Sequence, residues 1–390
     1  MNQSGPRFVN KEEKLKKRYQ AATALLFLFL SACSLVEDSS QPEPHLTDEA
    51  SSKAVPDTEE KISPTCKIAF TTDHGGDLNF DIHTMNIDGS NKVQLTSYEE
   101  DGNNWASAWS PDGSEIAFTS DRNDSNGNHD IFIMDLDGRN VRQLTQTWGD
   151  DRNPLWSPDG TRIAFFSDMD GDDEIFTMDT DGKNVQQMTA NTAADWYPAW
   201  SPDGSQIAFV SNMHGGELEL YLMNQDGGSI KQLTSDNTFR VPFAWSPDGK
   251  KITYLSNQDG KQAIFLIDLK SEEISQLTSD DFYNMDPAWS PDSKKIAFSA
   301  YPMVRETYVL NEVDIYIMNA YGENMKMLTP NNEICGSPVW SPNGAQIIFA
   351  CNVDRGPLEL FSMNSDGSNI QQLTNNEDYD DFPIFSPLCK

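Results

Sequence analysis

One phrase of residues recurs seven times along this chain, and its period restricts the fold more than any other feature. Trp-Ser-Pro occurs at Trp109, Trp156, Trp200, Trp245, Trp289 and Trp340, and a seventh copy opens Phe385-Ser386-Pro387. Successive copies lie 47, 44, 45, 44, 51 and 45 residues apart. So long and regular a period means one supersecondary unit stacked on copies of itself. What recurs is scaffold, so function is to be sought in what differs between copies.

The unit reads as four short strands. Trp109-Ser110-Pro111-Asp112-Gly113 ends a first strand in a tight turn, and Ile116-Ala117-Phe118 begins a second. After a polar loop, Ile131 to Met134 forms a third that is apolar on both faces. Asp137-Gly138 turns the chain, and Val141 to Thr145 makes the fourth. Four antiparallel strands per 45 residues or so is a propeller blade. The Ile-Ala-Phe position recurs at Ile68, Ile116, Ile163, Ile207, Ile252, Ile296 and Ile347. Leu-Thr recurs at Leu95, Leu144, Leu233, Leu277, Leu328 and Leu373, with Met188 in its place once. The expected fold is therefore all-β, a seven-bladed propeller of four-stranded antiparallel blades over residues 64–390. No helical period interrupts the series, which disfavours βαβ architectures.

The ends of the array are staggered. Residues 67–96 supply only the last three strands of a blade, and residues 380–387 only a first strand. The C-terminal strand is thus expected to join the N-terminal blade and close the ring. Cys389 and Cys66 fall at neighbouring positions across that first hairpin, which predicts a bridge between them. Cys335, five residues before Trp340, faces Cys351 in the same register and predicts a second. With Cys33 assigned below, every cysteine has a role, as suits an oxidising compartment.

The chain begins differently. Arg7, Lys11, Lys14, Lys16, Lys17 and Arg18 precede an apolar run from Ala21 to Leu30, then Leu30-Ser31-Ala32-Cys33. A basic head, a short apolar segment and small residues before the cut describe a secretory signal, residues 1–32. The run is too short for a comfortable membrane span. Leu-Ser-Ala-Cys matches the lipobox of bacterial lipoproteins, which makes Cys33 the lipidated first residue of the mature chain. Residues 33–63 are rich in Ser, Glu, Asp and Pro and read as an acidic, flexible tether. The expected location is the bacterial cell envelope, lipid-anchored, periplasmic or at the cell surface. In a Gram-negative cell, Ser34 rather than Asp after Cys33 points to the outer membrane.

The formal net charge is −33, and near −37 once a signal with six bases and two acids is removed. That charge argues against a nucleic-acid partner, whose phosphates need Lys and Arg. It argues equally against clinging to anionic lipid, leaving the lipid anchor as the only membrane attachment.

Trp-Ser-Pro-Asp-Gly-x-x-Ile-Ala-Phe, then Asp-Ile-Phe-x-Met-Asp-x-Asp-Gly and Gln-Leu-Thr, closely resembles the repeat of the TolB-like propellers. The resemblance spans residues 66–387 and implies the fold and a general habit of binding. TolB proper is a periplasmic, partner-binding member of an envelope complex, with six blades behind an α/β domain. This chain has seven blades by count and a tether where that domain would lie, so it resembles the family rather than TolB itself. Similar propellers precede the catalytic domain of prolyl oligopeptidases and dipeptidyl peptidases, but the chain contains no Gly-x-Ser-x-Gly elbow. Oligogalacturonate lyases, with seven such blades, a metal and a catalytic His, are similar too.

Turns after Trp-Ser-Pro and after the third strand are nearly invariant, so their face is scaffold. Fourth-to-first and second-to-third connections share the opposite face and vary, and binding residues tend to be carried by such loops. Five residues before each Trp or its Phe substitute stand Asn104, Asp151, Asp195, Arg240, Asn284, Cys335 and Asp380. Beside them are Trp105, Arg152, Trp196, Tyr197, Phe239, Tyr283, Tyr379 and Asp381, with Trp148 and Asp150 slightly earlier. Carboxylates and amides interleaved with aromatics suit a peptide segment, a sugar or a cation. At a strand start the same Asp and Asn equally serve the local backbone.

The repeated Trp residues are expected to pack between blades, and the repeated Ser-Pro-Asp-Gly to be a turn without a paired base. Asp168, Asp170 and Asp172 begin like a calcium loop but lack its later Glu, which favours an ordinary hairpin loop. No cofactor is expected beyond Ca²⁺ there. His74, His129 and His214 sit on second-to-third loops of three different blades. The first functional reading is a non-catalytic binding or scaffold module for a protein, or for an envelope polymer such as a polysaccharide or a peptidoglycan-associated partner. The alternative is a metal-assisted polysaccharide lyase or hydrolase using those His residues and carboxylates.

Overall fold

Each Ile-Ala-Phe triplet becomes the buried middle of a blade, with Ile68, Ile116, Ile163, Ile207, Ile252, Ile296 and Ile347 all at 0% exposure. The computed structural model describes residues 66–389 other than 77, 123–126, 215, 236–238, 259–260, 303–312, 330–332 and 353–355. The signal segment, Cys33, the tether and most of the long loop 301–312 lie outside the described residues.

The described residues form seven four-stranded antiparallel sheets. Blade 2 shows the plan, with strands Asn104–Trp109, Glu115–Ser120, Asp130–Asp135 and Arg142–Gln143 running from the axis outward. The fourth strand has only two residues where the sequence suggested five. Its end is tied down by the Thr of Leu-Thr, whose hydroxyl accepts a backbone N–H of the third strand. Ile131 to Thr145 at 2.9 Å is one example, and the bond recurs at Thr96, Thr189, Thr234, Thr278, Thr329 and Thr374. One helical turn, Tyr98–Asp101, leads into blade 2.

Second and third strands carry directly opposed aromatic rings, such as Phe118 on Phe132 at 5.5 Å and Phe209 on Tyr221 at 5.6 Å. Blade 1 alone among the seven opposes Phe70 to a histidine, His83, at 5.6 Å. Blades are joined through the repeated tryptophans. The indole N–H groups of Trp109, Trp200, Trp245 and Trp340 donate to carbonyls of Ile384, Leu155, Ala199 and Ala288 on the preceding inner strand. Trp289 uses the Thr253 hydroxyl instead, at 3.1 Å.

Ring closure follows the staggered ends. Tyr379–Phe385 pairs with Lys67–Asp73, placing Phe385 opposite Ile68. Disulfides join Cys66 to Cys389 and Cys335 to Cys351. The first spans 323 residues, and in the chain-entropy account a loop that long gains about 6 kcal/mol. Turns following Trp-Ser-Pro repeat one hydrogen-bond pattern, with Ser donating to Asp or Asn two residues on at Ser110, Ser157, Ser201, Ser246, Ser290 and Ser341. One face is therefore uniform.

Candidate functional site

The position five residues before each Trp does not form an exposed ring. Asn104, Asp151, Asp195, Asn284 and Asp380 are all 0% exposed, and Cys335 is held in its disulfide. These side chains brace the blade. Asn191 gives its backbone N–H to Glu174 and its amide to Asp195, at 2.6 and 2.8 Å. Asn376 repeats this between Glu359 and Asp380, at 2.7 Å each. Ser120 donates to Asn104 at 2.8 Å, Thr147 to Asp151 at 3.0 Å, and Asn284 to the Gln262 carbonyl at 2.9 Å. Burial raises the Asp151 carboxyl to about 6, and burial beside Asp195 raises Glu174 to about 7.

A β-bulge explains the orientation. Two residues further on, the inner strands enter the left-handed region at Asn153, Tyr197, Asp286, Ser337 and Phe382, while blade 5 has a cis Val241–Pro242 bond. Register shifts there in every blade. A bulge re-aims side chains, so simple alternation fails at this point. It also brings together three residues from blades 6, 7 and 1 on the channel-lining strands. Asp286 accepts the Ser299 hydroxyl at 2.5 Å and the Ser337 N–H at 3.4 Å. Asp381 shares Ser337; burial, reinforced by Asp286 and Asp380, pushes its carboxyl up to about 7.

The remaining candidates converge on the variable face of blades 2 to 4. Trp105 lies between Phe80, at 5.4 Å, and the His129 ring, at 4.9 Å. His129 reaches Asp150 through Nδ1 at 2.7 Å, and its backbone N–H donates to the same oxygen at 2.8 Å. Arg152 Nη2 closes on the other Asp150 oxygen at 2.5 Å. Burial pushes the Asp150 carboxyl up, but the His129 hydrogen bonds and the Arg152 charge hold it below the ordinary range. Trp196 donates its indole N–H to Asp173 at 2.7 Å. Tyr197 packs on Phe166 at 5.5 Å, and burial raises its phenol to about 12. Trp148 is 91% exposed.

Other candidates stay apart from this patch. Tyr283 stacks on Tyr301 at 5.1 Å, and Tyr379 stands opposite Asp73 in the closing pair. Phe239 and Arg240 begin the inner strand Phe239–Trp245, and their side chains lie outside the description. The three histidines do not meet. His74 contacts Asp81 and Asp378, His129 contacts Asp150, and His214 contacts the Tyr221 hydroxyl. Asp168 and Asp170 accept the Asp150 N–H and the Gln187 amide. Among the described residues, the one group of three potential metal ligands within reach of each other is Glu333, Cys335 and Cys351, whose cysteines are oxidised to a disulfide.

The pairing of His129 with Asp150 and of Asp173 with Trp196 was not read from the sequence. A signal for it exists. The residue before a third strand accepts a backbone N–H from the inner strand of the next blade 22 positions later, as in His129 to Asp151 and Asp173 to Asp195, at 2.8 and 2.7 Å. That offset places the second-to-third loops of blades 2 and 3 against the following blade.

A family model described as the TolB beta propeller domain matches residues 102–197 and 191–309, together more than half of the chain. No curated protein matches the sequence. Among solved structures, TolB from Acinetobacter baumannii is 22% identical with a TM-score of 0.53, covering 82% of this chain and 66% of that one. An oligogalacturonate lyase from Vibrio parahaemolyticus is 14% identical with a TM-score of 0.56, over 79% and 84% of the two chains. The β-propeller domain of the Trilobed protease from Pyrococcus furiosus is 15% identical with a TM-score of 0.59, over 79% and 94%. At these identities the likeness is one of fold.

Proposed function

The chain belongs to the TolB β-propeller family, and from that premise we propose that it is a non-catalytic binding module of the bacterial cell envelope. In this reading residues 1–32 are the signal, Cys33 carries the lipid, 33–63 form the tether and 64–390 the propeller. The partner is a protein, or a polymer of the envelope, and the membrane is reached through the lipid alone.

One observation carries the reading. An exposed Trp148 stands beside the Trp105, His129, Asp150 and Arg152 cluster on the individual face, while the opposite face repeats a single turn. Aromatic and Arg side chains on a rigid frame are the usual energetic centres of interfaces. Among the described residues, His129 has a carboxylate partner but neither a second histidine nor a shared metal set, which gives the lyase alternative little to work with.

The test is purification of the lipidated protein from its native envelope, with identification of what accompanies it. A partner that is retained by wild type and lost from Trp148→Ala supports the reading. Stoichiometric metal that disappears when His74, His129 and His214 are changed to Ala, together with polysaccharide cleavage, would overturn it.

A further inference from the structure

We propose that Glu174 and Asp195 share one proton, and that this proton latches blade 3 to blade 4 beneath the individual face. Glu174 opens the third strand of blade 3, Glu174–Asp179, and Asp195 opens the inner strand of blade 4, Asp195–Trp200. Both side chains are 0% exposed. The two carboxyls hydrogen-bond each other, and no donor from another residue reaches the buried Glu174 Oε2 or Asp195 Oδ1. A bond between two carboxyls needs a proton on one of them, since two carboxylates in one buried space do not both ionise. Asn191 clamps the pair from its other side, giving its backbone N–H to Glu174 Oε1 and its amide to Asp195 Oδ2. That clamp holds only while the carboxyls stay together.

The same arrangement recurs with a different counter-charge. Glu359 and Asp380 form the matching pair between blades 7 and 1, clamped by Asn376. There Asp380 accepts the Thr72 hydroxyl at 2.7 Å and the Lys92 ammonium at 3.2 Å. Blade 4 has Tyr221 and Ile230 at the places of His83 and Lys92, so it offers Asp195 no ammonium. Among the described residues, neither Glu174 nor Asp195 forms an ion pair. The neutral Thr189 hydroxyl also bonds Glu174. Of the other ionisable groups about the pair, Asp173 accepts the Trp196 indole, and Arg152, whose charge reaches Asp173, is closed on Asp150. The Tyr221 hydroxyl meets His214, and burial, with Glu219 and Asp195, raises that phenol to about 12. In blade 4 a proton thus takes the part that Lys92 plays in blade 1.

Burial, then the hydrogen bond and charge of Asp195, raise the Glu174 carboxyl to about 7, whereas a glutamate released from the clamp ionises near 4.3. The latched state binds the proton more tightly, so it is favoured at lower pH and weakens as pH rises through about 7. The clamped connection leads directly into Trp196 and Tyr197. Resting on the binding reading above, the latch therefore makes pH a regulator of that face.

The experiment is backbone amide exchange of the mature protein without a partner, read by NMR at pH 6 and pH 8 and corrected for intrinsic rates. Protection at Asn191 is expected to fall about tenfold across those two pH units, and protection at Asn376 far less. Glu174→Gln, a neutral isostere of the protonated acid, should keep Asn191 protection level. In wild type the Glu174 carboxyl carbon should titrate near 7, a measurement that needs no variant. Titration in the ordinary glutamate range, the same loss at Asn376, or the same loss in Glu174→Gln would overturn the proposal. None of these results depends on a partner, so the binding reading stands or falls separately, on co-purification.

Discussion

The backbone N–H of Asp150 donates to Oδ1 of Asp168 at 2.6 Å, so the connection leading into blade 3 is stitched to the hairpin loop of that blade. Asparagine at 168 keeps an acceptor there and alanine does not. Asp168→Ala is therefore expected to speed amide hydrogen exchange at Asp150 by an amount matching about 1 kcal/mol of lost hydrogen bond, and Asp168→Asn to change it far less. Exchange read by NMR or mass spectrometry decides between them.

The repeated tryptophans are not equivalent. Trp200 donates its indole N–H to the Leu155 carbonyl at 3.3 Å, whereas the buried Trp156 indole N–H finds no acceptor. Trp200→Phe should cost about 1 kcal/mol more than Trp156→Phe, since only the first leaves a carbonyl without its donor. Denaturant unfolding of the two variants measures the difference.

His83 occupies the position where other blades place Phe or Tyr against the second-strand ring. Burial, with the Lys92 charge second, lowers its pKa to about 4. The folded chain thus resists a proton that the unfolded chain takes up near 6.5. Stability contributed by the neutral ring is present above that value and is lost as pH falls from about 6.5 towards 4. His83→Phe is expected to remove this loss, so that the variant's melting temperature falls less than wild type's, or rises, as pH drops over that interval. An unchanged acid slope would contradict the assignment.

Asp381 behaves in the opposite sense. Its carboxyl, pushed up to about 7 by burial and by Asp286 and Asp380, keeps a proton in the folded chain that the unfolded chain releases near 4. The folded state binds more protons across that window, so stability falls as pH rises through it. Between pH 6.5 and 8 the His83 contribution is nearly constant, while Glu174, raised to about 7, adds the same sign as Asp381. Wild type should melt lower at pH 8 than at 6.5, and Asp381→Asn should reduce that drop.

The period of Trp-Ser-Pro was enough to read the blade count, the closing strand and both disulfides, because each depends on where strands begin and which pair. The inner-strand bulge was not legible. Asn153, Tyr197, Asp286, Ser337 and Phe382 share a left-handed backbone but no side-chain type, so no residue pattern announces the irregularity. Without it, Asp151, Asp195 and Asp380 align as a ring of exposed acids, whereas the folded chain buries them as braces. Trp105, Arg152 and Trp196 survive as surface candidates because their partners, His129, Asp150 and Asp173, come from neighbouring loops. The outer strands were overestimated for a simpler reason: in the second copy only Arg142 and Gln143 of the segment Val141 to Thr145 pair as a strand.

The most direct test of binding through the individual face is hydrogen–deuterium exchange of the mature protein with and without the partner that co-purifies from its envelope. Protection is expected in segments 127–130, 147–152, 168–173 and 194–197, with the Ser-Pro-Asp-Gly turns unaffected. Protection confined to those turns, or absent from all four segments, would contradict the account.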